Sequence, residues 1–151
     1  MKNFIRITER NYKTYKSDIQ NFFIENSEDQ KFFHPHGFTV EEFYEEIKDK
    51  EKDMYFFLSD DGKFVGYGIL RGWDEGYKIP SLGIIIDKDG RGKGYALSLM
   101  RWLHGKAAKE GADKVRLTVY KENKAAISLY NKLGYVFSDK NEKELIGIKN
   151  L

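Results

Sequence analysis

The segment covering residues 81–110 constrains the fold more than any other part of this 151-residue chain. It begins with SLGIIID (residues 81–87), a nearly continuous apolar run that is typical of a strand buried on both faces. A glycine-rich basic stretch, KDGRGKG, follows at once, and helical spacing of apolar residues predicts a helix from about Tyr95 to Glu110. The unit is therefore strand, glycine loop and helix.

The loop of this unit has the chemistry of a phosphate site. Gly90, Gly92 and Gly94 allow the backbone to turn sharply and to approach a ligand without a side-chain collision. The first turn of the helix that follows has amides without partners and the positive end of the helix dipole. Arg91 and Lys93 add two cations. This combination favours a ligand that carries a diphosphate.

Two common diphosphate motifs do not match the loop. The P-loop requires GxxxxGK followed by Ser or Thr, which the chain lacks. The dinucleotide fingerprint GxGxxG or GxGxxA would end at Tyr95 if it began at Gly90, and at Leu97 if it began at Gly92. Neither residue is small enough for close packing of helix on strand. A nicotinamide or flavin enzyme is therefore disfavoured.

The remaining chain predicts alternating helices and strands without a repeat or linker. Strands are predicted at 4–8, 54–58, 63–71, 114–120, 135–138 and 144–148, with helices around 12–23, 39–47 and 123–133. Thr39 and Glu42 form a capping box, Asn123 is a suitable cap, and Asp60-Asp61-Gly62 predicts a hairpin turn. These short elements predict an α/β or α+β sandwich on one sheet, in one domain over 1–151.

Composition excludes several other classes of protein. Twenty-six basic and 24 acidic residues leave a formal net charge of +2, too small to indicate nucleic acid or an anionic membrane as a partner. The chain has no cysteine, so thiolate nucleophiles and cysteine-bound metals are excluded. No run reaches the ~18 apolar residues of a membrane span, and no signal peptide is visible. We expect a cytoplasmic protein, a monomer or homodimer, with no metal site.

Two segments together resemble the GNAT superfamily of N-acetyltransferases. The run Arg91-Gly92-Lys93-Gly94-Tyr95-Ala96 matches the family signature R/Q-x-x-G-x-G/A. The later segment NKAAISLYNKLGYVF is similar to a second family hallmark, in which a Tyr follows an Asn by seven residues and a Gly-Tyr pair closes the helix. The resemblance covers about 81–138. It implies an α/β (α+β) fold with a mixed, mostly antiparallel twisted sheet of about seven strands, flanked by about four helices.

The resemblance also implies roles for particular residues. It places acetyl-coenzyme A on the amides of Arg91, Gly92, Lys93, Gly94, Tyr95 and Ala96, which would hold the pyrophosphate. The backbone of Ile84, Ile85 and Ile86 would pair with the pantetheine arm, which Asn123 and Ala126 would also contact. Tyr130 would lie near the thioester sulfur, where a phenol can protonate the departing thiolate. Asn123 is expected to serve both as helix cap and as coenzyme contact.

The acceptor side is less constrained by the sequence. The candidates for the base that takes a proton from the attacking amine are Asp74, Glu75, His34 and His36. His34 and His36 are also candidates for acceptor binding, together with Trp73. We expect the acceptor to be a small molecule with a primary amine, an amino sugar being one option. The alternatives left open are a peptide or protein amine, and a non-catalytic sensor that only binds acyl-coenzyme A.

Overall fold

The structure is a computed structural model that describes residues 1–33 and 35–151. The strands are β1 (Lys2–Arg6), β2 (Met54–Asp60), β3 (Lys63–Arg71), β4 (Ser81–Ile86), β5 (Lys114–Tyr120), β6 (Val136–Asp139) and β7 (Glu144–Asn150). The α-helices are α1 (Lys16–Glu25), α2 (Val40–Ile47), α3 (Tyr95–Lys109) and α4 (Lys124–Lys132), with 3₁₀ segments at Ser27–Phe32 and Lys88–Gly90. None of these helices combines the length and hydropathy that a bilayer crossing requires.

One seven-stranded sheet organises the chain, in the order β1-β2-β3-β4-β5-β7-β6. Adjacent strands run antiparallel except β4 and β5, which are parallel. In the described residues, β4 and β5 pair at a single position, Ser81 with Arg116. Both strands diverge beyond that pair, so the sheet opens into a V towards the carboxyl ends of β4 and β5.

Helices cover both faces of the sheet and bury two apolar cores. On one face, α1 and α2 pack with Phe23 and Phe43 against Tyr67 of β3 and Ile85 of β4. On the other face, α3 and α4 pack against β4 and β5, in a core that includes Leu99, Leu103, Leu82, Leu117 and Tyr130. Burial of these apolar side chains, at about 25 cal/mol per Å², is the main term that holds the layers together.

A glycine in β3 sets how closely α3 approaches the sheet. A Cβ atom added at Gly68 would lie 2.8 Å from a methyl carbon of Leu103 and 3.1 Å from one of Leu99. Such distances are too short for carbon atoms, so a larger residue here would force these two buried leucine side chains to shift. Gly68 therefore allows α3 to pack closely on β3.

The mixed, mostly antiparallel seven-stranded sheet confirms the fold class expected from the sequence. Several local predictions also agree with the structure. The Thr39 hydroxyl accepts from the Glu42 amide at 3.0 Å, which is one half of the predicted capping box. The Glu42 carboxylate accepts from the Thr39 hydroxyl at 2.9 Å, where a full capping box would have it accept from the Thr39 amide. The Asn123 side chain accepts from the Ala126 amide at 3.2 Å. The hairpin turn has positive φ at Asp61 (49°) and Gly62 (83°), the conformation that joins twisted strands most readily.

Two boundaries near the amino terminus differ from the prediction. The first strand covers Lys2–Arg6 instead of 4–8, and α1 begins at Lys16 instead of near Tyr12. Tyr12 and Tyr15 nevertheless pack against the core of α1 and α2, from turns that precede the helix. Tyr12 and Tyr15 share an apolar environment with the residues of α1, so their spacing continues the helical pattern although they precede the helix. For this reason the periodicity predicted a helix that begins too early.

Candidate active site

A cleft of about 1200 Å³ occupies the V between β4 and β5. It is lined on one side of the sheet by the loop before α3 and by α4, including Gly92, Asn123 and Tyr130. On the other side it is lined by residues such as Phe33 and Arg71. The cleft therefore gives access to the gap from both faces, so two reactants can enter from opposite sides.

The edge of β4 that faces β5 carries unpaired peptide groups. The amide of Asp87 donates to Val65 of β3 at 2.9 Å. Because successive peptide groups in a strand point to opposite edges, the amides of Ile84 and Ile86 face the cleft, whereas the amide of Ile85 faces β3. β4 can therefore accept an extended ligand as though it were one more strand, through Ile84 and Ile86.

The loop between β4 and α3 presents a set of free backbone donors. Gly92 and Gly94 both have φ of 80°, a left-handed conformation in which other residues are strained. Gly94 caps α3 without a side chain, and the first bond within the helix runs from Ser98 to Gly94. Within the described residues, no amide of residues 92–97 donates to a protein acceptor. These amides and the helix dipole can bind an anion.

The two cations of the loop differ in their surroundings. The Arg91 guanidinium forms an ion pair with Asp29 of the 27–32 segment at 3.0 Å. Lys93 is exposed, and it does not line the cleft, although Arg91, Gly92, Gly94, Tyr95 and Ala96 do. The loop therefore offers mainly its backbone to a ligand, with one guanidinium that an acid already engages.

Two buried polar contacts fix the position of the loop. The Asn26 side chain, 2% exposed, donates to the Asp87 carboxylate at 2.9 Å and accepts from the Lys88 amide at 3.0 Å. The Tyr95 hydroxyl donates to Asp60 at 2.5 Å, which turns this side chain away from the ligand position. The end of α1 and the β2–β3 hairpin thus hold the loop, and this preorganises its amides.

Tyr130 projects from α4 towards the cleft. Its side chain is 8% exposed, and its hydroxyl has no hydrogen-bond partner within the described residues. Burial raises the pKa of the Tyr130 phenol to about 12, so the phenol stays protonated and can donate a proton. Asn123 and Ala126 line the same side of the cleft from the start of α4.

Asp74 forms structural hydrogen bonds and does not line the cleft. Its carboxylate accepts from the amides of Glu51, Lys52 and Asp53, at distances between 2.7 and 3.2 Å. Burial alone would raise the pKa of Asp74, but these amide hydrogen bonds outweigh it and hold the pKa below its ordinary value. Since Asp74 does not line the cleft, the structure does not place this predicted base beside the other site residues.

Glu75 and Trp73 lie in the same turn as Asp74. Glu75 is exposed, between Gly72 and Tyr77, which both line the cleft. Trp73 packs against the core of α3 and α4 and does not line the cleft. Glu75 does not itself line the cleft, but its side chain is exposed in a turn that borders it, whereas the indole of Trp73 is used in packing.

His36 is enclosed by aromatic rings and does not line the cleft. Its Nδ1 lies 2.7 Å from the Gly37 carbonyl and its Nε2 2.7 Å from the Tyr67 hydroxyl. The carbonyl can only accept, so Nδ1 carries the proton and Nε2 accepts from Tyr67. Burial lowers the pKa of His36, although the Gly37 carbonyl acts in the opposite direction. His34, the other predicted contact, lies outside the described residues.

The structure adds residues that the sequence did not indicate. On the face of α1 and α2, the cleft is lined by Phe33, Arg71 and Arg116, together with the Tyr77 turn. No local motif marks these side chains, because they come from two separate strands and from two segments outside the strands. The signal that could have found them is parity: Arg116 lies between inward-facing Val115 and Leu117, and therefore points to the opposite face.

The described residues contain no group of three or more His, Cys, Asp or Glu side chains that could hold a metal ion.

The family model named "Acetyltransferase (GNAT) family" matches residues 19–135. The chain belongs to the GNAT family of acetyltransferases. A curated relative, "Acetyltransferase SG1711" of Sodalis glossinidius, is 33% identical over 89 residues, which cover 59% of this chain and 61% of that protein. The chain spans less than two thirds of the curated relatives that it matches.

Solved structures share this GNAT fold at low sequence identity. The PaiA N-acetyltransferase of Thermoplasma acidophilum, solved in complex with coenzyme A, has a TM-score of 0.75 at 16% identity, over 100% of this chain and 99% of that one. The ribosomal-protein-S18-alanine N-acetyltransferase of Escherichia coli has a TM-score of 0.73 at 19% identity, over 99% of this chain and 94% of that one. At these identities, the likeness establishes the fold alone.

Proposed function

We propose that this GNAT protein transfers an acetyl group from acetyl-coenzyme A to a primary amine of a small molecule. The observation that carries the proposal is the position of the Tyr130 phenol, which lines the same cleft as the free amides of the glycine loop. A proton donor and a diphosphate site at one cleft are the two parts that thioester aminolysis requires. Family membership and the coenzyme A bound to a protein of the same fold support this choice of coenzyme.

In this proposal the coenzyme binds across the face of α3 and α4. The amides of residues 92–97 hold its pyrophosphate, and the cleft-facing amides of Ile84 and Ile86 pair with its pantetheine arm. The acceptor enters from the face of α1 and α2, where Phe33 and Arg71 line the cleft. Asn123 and Ala126 border the pantetheine arm from α4.

The reaction is a direct attack through a tetrahedral intermediate. The neutral amine nitrogen bonds to the thioester carbonyl carbon, whose oxygen becomes an oxyanion that a backbone amide of β4 can stabilise. The carbon–sulfur bond then breaks, and Tyr130 donates its proton to the departing thiolate. The resulting phenolate takes a proton back from water in the cleft, which restores Tyr130 for the next turnover. The proton released by the amine passes to water in the cleft, with exposed Glu75 as the proposed final acceptor. Asp74 is not assigned this role because its carboxylate is occupied by three amides.

The decisive experiment compares Tyr130→Phe with the parent chain. We expect turnover to fall at least ~10-fold because the thiolate loses its proton donor, while the Kd for coenzyme A stays within about twofold. Tyr12→Phe is a matched control, since it removes a tyrosine hydroxyl that lies outside the cleft. Equal losses of turnover and coenzyme affinity in Tyr130→Phe would instead make the tyrosine a binding contact.

Coenzyme binding is tested separately from catalysis. Calorimetry of the purified chain with coenzyme A should give saturable one-to-one binding. Thiol release from acetyl-coenzyme A, followed over a panel of amines, then tests transfer. Coenzyme binding without thiol release from any amine would favour the alternative function, a sensor that binds acyl-coenzyme A without catalysis.

A peptide or protein amine is the second candidate acceptor. A protein of the same fold has the name of a ribosomal-protein-S18-alanine N-acetyltransferase, but its identity with this chain is too low to carry a substrate across. A panel that contains both free amines and peptides with free amino termini separates these two acceptor classes directly.

A further inference from the structure

Three residues on neighbouring strands form one row at the closed end of the cleft. Arg71 of β3 pairs with Ser81 of β4, and Ser81 pairs with Arg116 of β5. Residues that pair directly across a sheet share a face. We name this set the arginine row; its two arginines are separated by two strand spacings, about 10 Å between Cα atoms.

The arginine row lies on the face of the sheet opposite α3, the helix that follows the glycine loop. Leu82 and Leu117, the neighbours of Ser81 and Arg116 in sequence, point into the core beneath α3 and α4. Because alternate residues of a strand point to opposite faces, Ser81 and Arg116 point to the face of α1 and α2. All three residues of the row line the cleft, so both guanidinium groups border the proposed acceptor side.

The two arginines differ in how their charge is balanced. The Arg71 guanidinium lies 3.5 Å from the Glu46 carboxylate and donates to the Pro35 carbonyl at 3.2 Å. The Arg116 backbone is held in the sheet, where its amide donates to the Pro80 carbonyl at 3.0 Å, but its guanidinium has no acidic partner and no hydrogen-bond acceptor in the described part of the chain. The closed end of the cleft therefore carries a half-buried cation that is not neutralised.

We propose that the acceptor carries an anionic group, a carboxylate or a phosphate, which binds to Arg116 beside the Arg71 side chain. This inference rests on the proposed function and names its substrate class. A guanidinium binds a carboxylate or a phosphate through two parallel hydrogen bonds, and such bonds are strong when water is partly excluded. A polyamine is disfavoured, because its second ammonium group would face two guanidinium groups.

The geometry also limits the size of this acceptor. The amide of Ile84 lies three residues beyond Ser81 along β4, about 10 Å away at ~3.3 Å per residue. The arginine side chains span part of that distance. The amine and the anion of the acceptor therefore belong to one compact molecule, with the anion towards the closed end of the cleft and the amine towards Ile84.

The test uses the purified chain with acetyl-coenzyme A and matched acceptor pairs. One arm contains amino acids with one to five carbons between amine and carboxylate, each compared with its primary amide. The second arm compares glucosamine 6-phosphate with glucosamine, and spermidine serves as the polycationic contrast. Thiol release gives kcat and KM for each acceptor, so the two arms distinguish a carboxylate from a phosphate.

The variant Arg116→Gln is compared with Arg116→Lys and with Arg101→Gln, which alters an exposed arginine of α3 outside the cleft. We expect the parent chain to prefer the anionic member of a pair by at least ~10-fold in kcat/KM, the size of a charge-assisted hydrogen bond. Arg116→Gln should remove that preference by raising the KM of the anionic acceptor. The kcat/KM of neutral acceptors and the KM for acetyl-coenzyme A should stay within twofold of the parent values. Arg116→Lys should retain part of the preference.

Each contrary result has a distinct meaning. Equal or better turnover of the neutral amides, of glucosamine or of spermidine by the parent chain would overturn the inference and leave the acetyltransferase proposal intact. The inference would also be overturned if Arg116→Gln lowered kcat/KM equally for the anionic acceptor and for its neutral analogue. No thiol release with any acceptor, in a chain that binds coenzyme A, would overturn the proposed function and the inference with it.

Discussion

The Arg91 guanidinium donates to both carboxylate oxygens of Asp29, at 3.2 and 3.0 Å. Asp29 belongs to the 27–32 segment, and the last residue of that segment, Phe32, contacts the Tyr120 ring with centroids 5.0 Å apart. The segment therefore contacts the glycine loop beyond β4 through Asp29 and the end of β5 through Phe32. It places an acid beside the proposed diphosphate site.

Asp29→Asn should bind coenzyme A more tightly than the parent chain. The substitution frees Arg91 for the diphosphate and removes a negative charge that would repel it. Exposed ion pairs are worth ~0.2–1 kcal/mol, so the Kd should fall about two- to fivefold at low salt, with a smaller effect at high salt. Calorimetry measures the change. Glu28→Gln, an exposed acid of the same segment outside the cleft, should leave the Kd unchanged; weaker binding by Asp29→Asn would contradict the explanation.

The pH dependence of turnover should reflect the raised pKa of Tyr130. A general acid acts in its protonated form, and burial raises the pKa of this phenol to about 12. At saturating substrates, kcat should therefore stay level through pH 10, where an ordinary tyrosine would be half ionised. Stopped-flow thiol release over pH 8 to 10.5 tests this. A decline in kcat centred near pH 10 in the parent chain, absent from Tyr130→Phe, would show that the phenol titrates normally.

Asp74→Ala should lower stability and leave catalysis intact. The substitution leaves the amides of Glu51, Lys52 and Asp53 without their shared acceptor, a loss comparable to that of a helix cap, about 1–2 kcal/mol. Urea denaturation gives the free energy of unfolding, and thiol release of the folded protein gives kcat. Glu75→Ala is the matched substitution in the same turn and should hardly alter stability. A large drop in kcat for Asp74→Ala at unchanged stability would restore Asp74 as the base.

His104 should make the protein less stable as the pH falls below neutrality. Burial lowers its pKa to about 4, with a smaller effect from Lys149, whereas in the unfolded chain the pKa is ~6.5. The unfolded state therefore binds more protons between these values, and stability is lost as pH decreases from about 6.5 towards 4. After a discount for the partial exposure of His104, the free energy of unfolding should fall by about 1–2 kcal/mol over this pH range.

His104→Gln provides the comparison for this pH effect. Glutamine does not titrate and can still accept from the Tyr135 hydroxyl, which lies 2.7 Å from His104 Nε2. The difference in free energy of unfolding between parent and variant should shrink between pH 7 and pH 4.5. Urea denaturation at several pH values measures it. His36 is present in both proteins, so its contribution cancels in the difference between their free energies of unfolding. If that difference did not change with pH, His104 would have an ordinary pKa.

The elements that the sequence predicted well are those whose determinants are local. Left-handed φ at Gly92 and Gly94, the cap at Asn123 and the capping box at Thr39 each depend on residues within a few positions. The glycine loop and the start of α3 could therefore be located before any tertiary contact was known. The roles of the individual site residues remain predictions that the variants above test.

The features that the sequence did not indicate depend on contacts between distant segments. Asp74 accepts from amides 21 to 23 residues away, so its local surroundings could not distinguish a structural carboxylate from a catalytic one. The arginine row exists only because three strands align in register. The Tyr67 partner of His36 lies 31 residues further along the chain, so the local sequence could not show that this ring is held among other aromatic rings.

The single pairing between Ser81 and Arg116 means that the ladder between the two halves of the sheet is interrupted along most of β4. An extended ligand seated against Ile84 and Ile86 would supply the missing rungs. The coenzyme would then act as an architectural part of the sheet as well as a reactant. Binding of the coenzyme would accordingly make the sheet more rigid, and its release would make the sheet more flexible, once in each catalytic cycle.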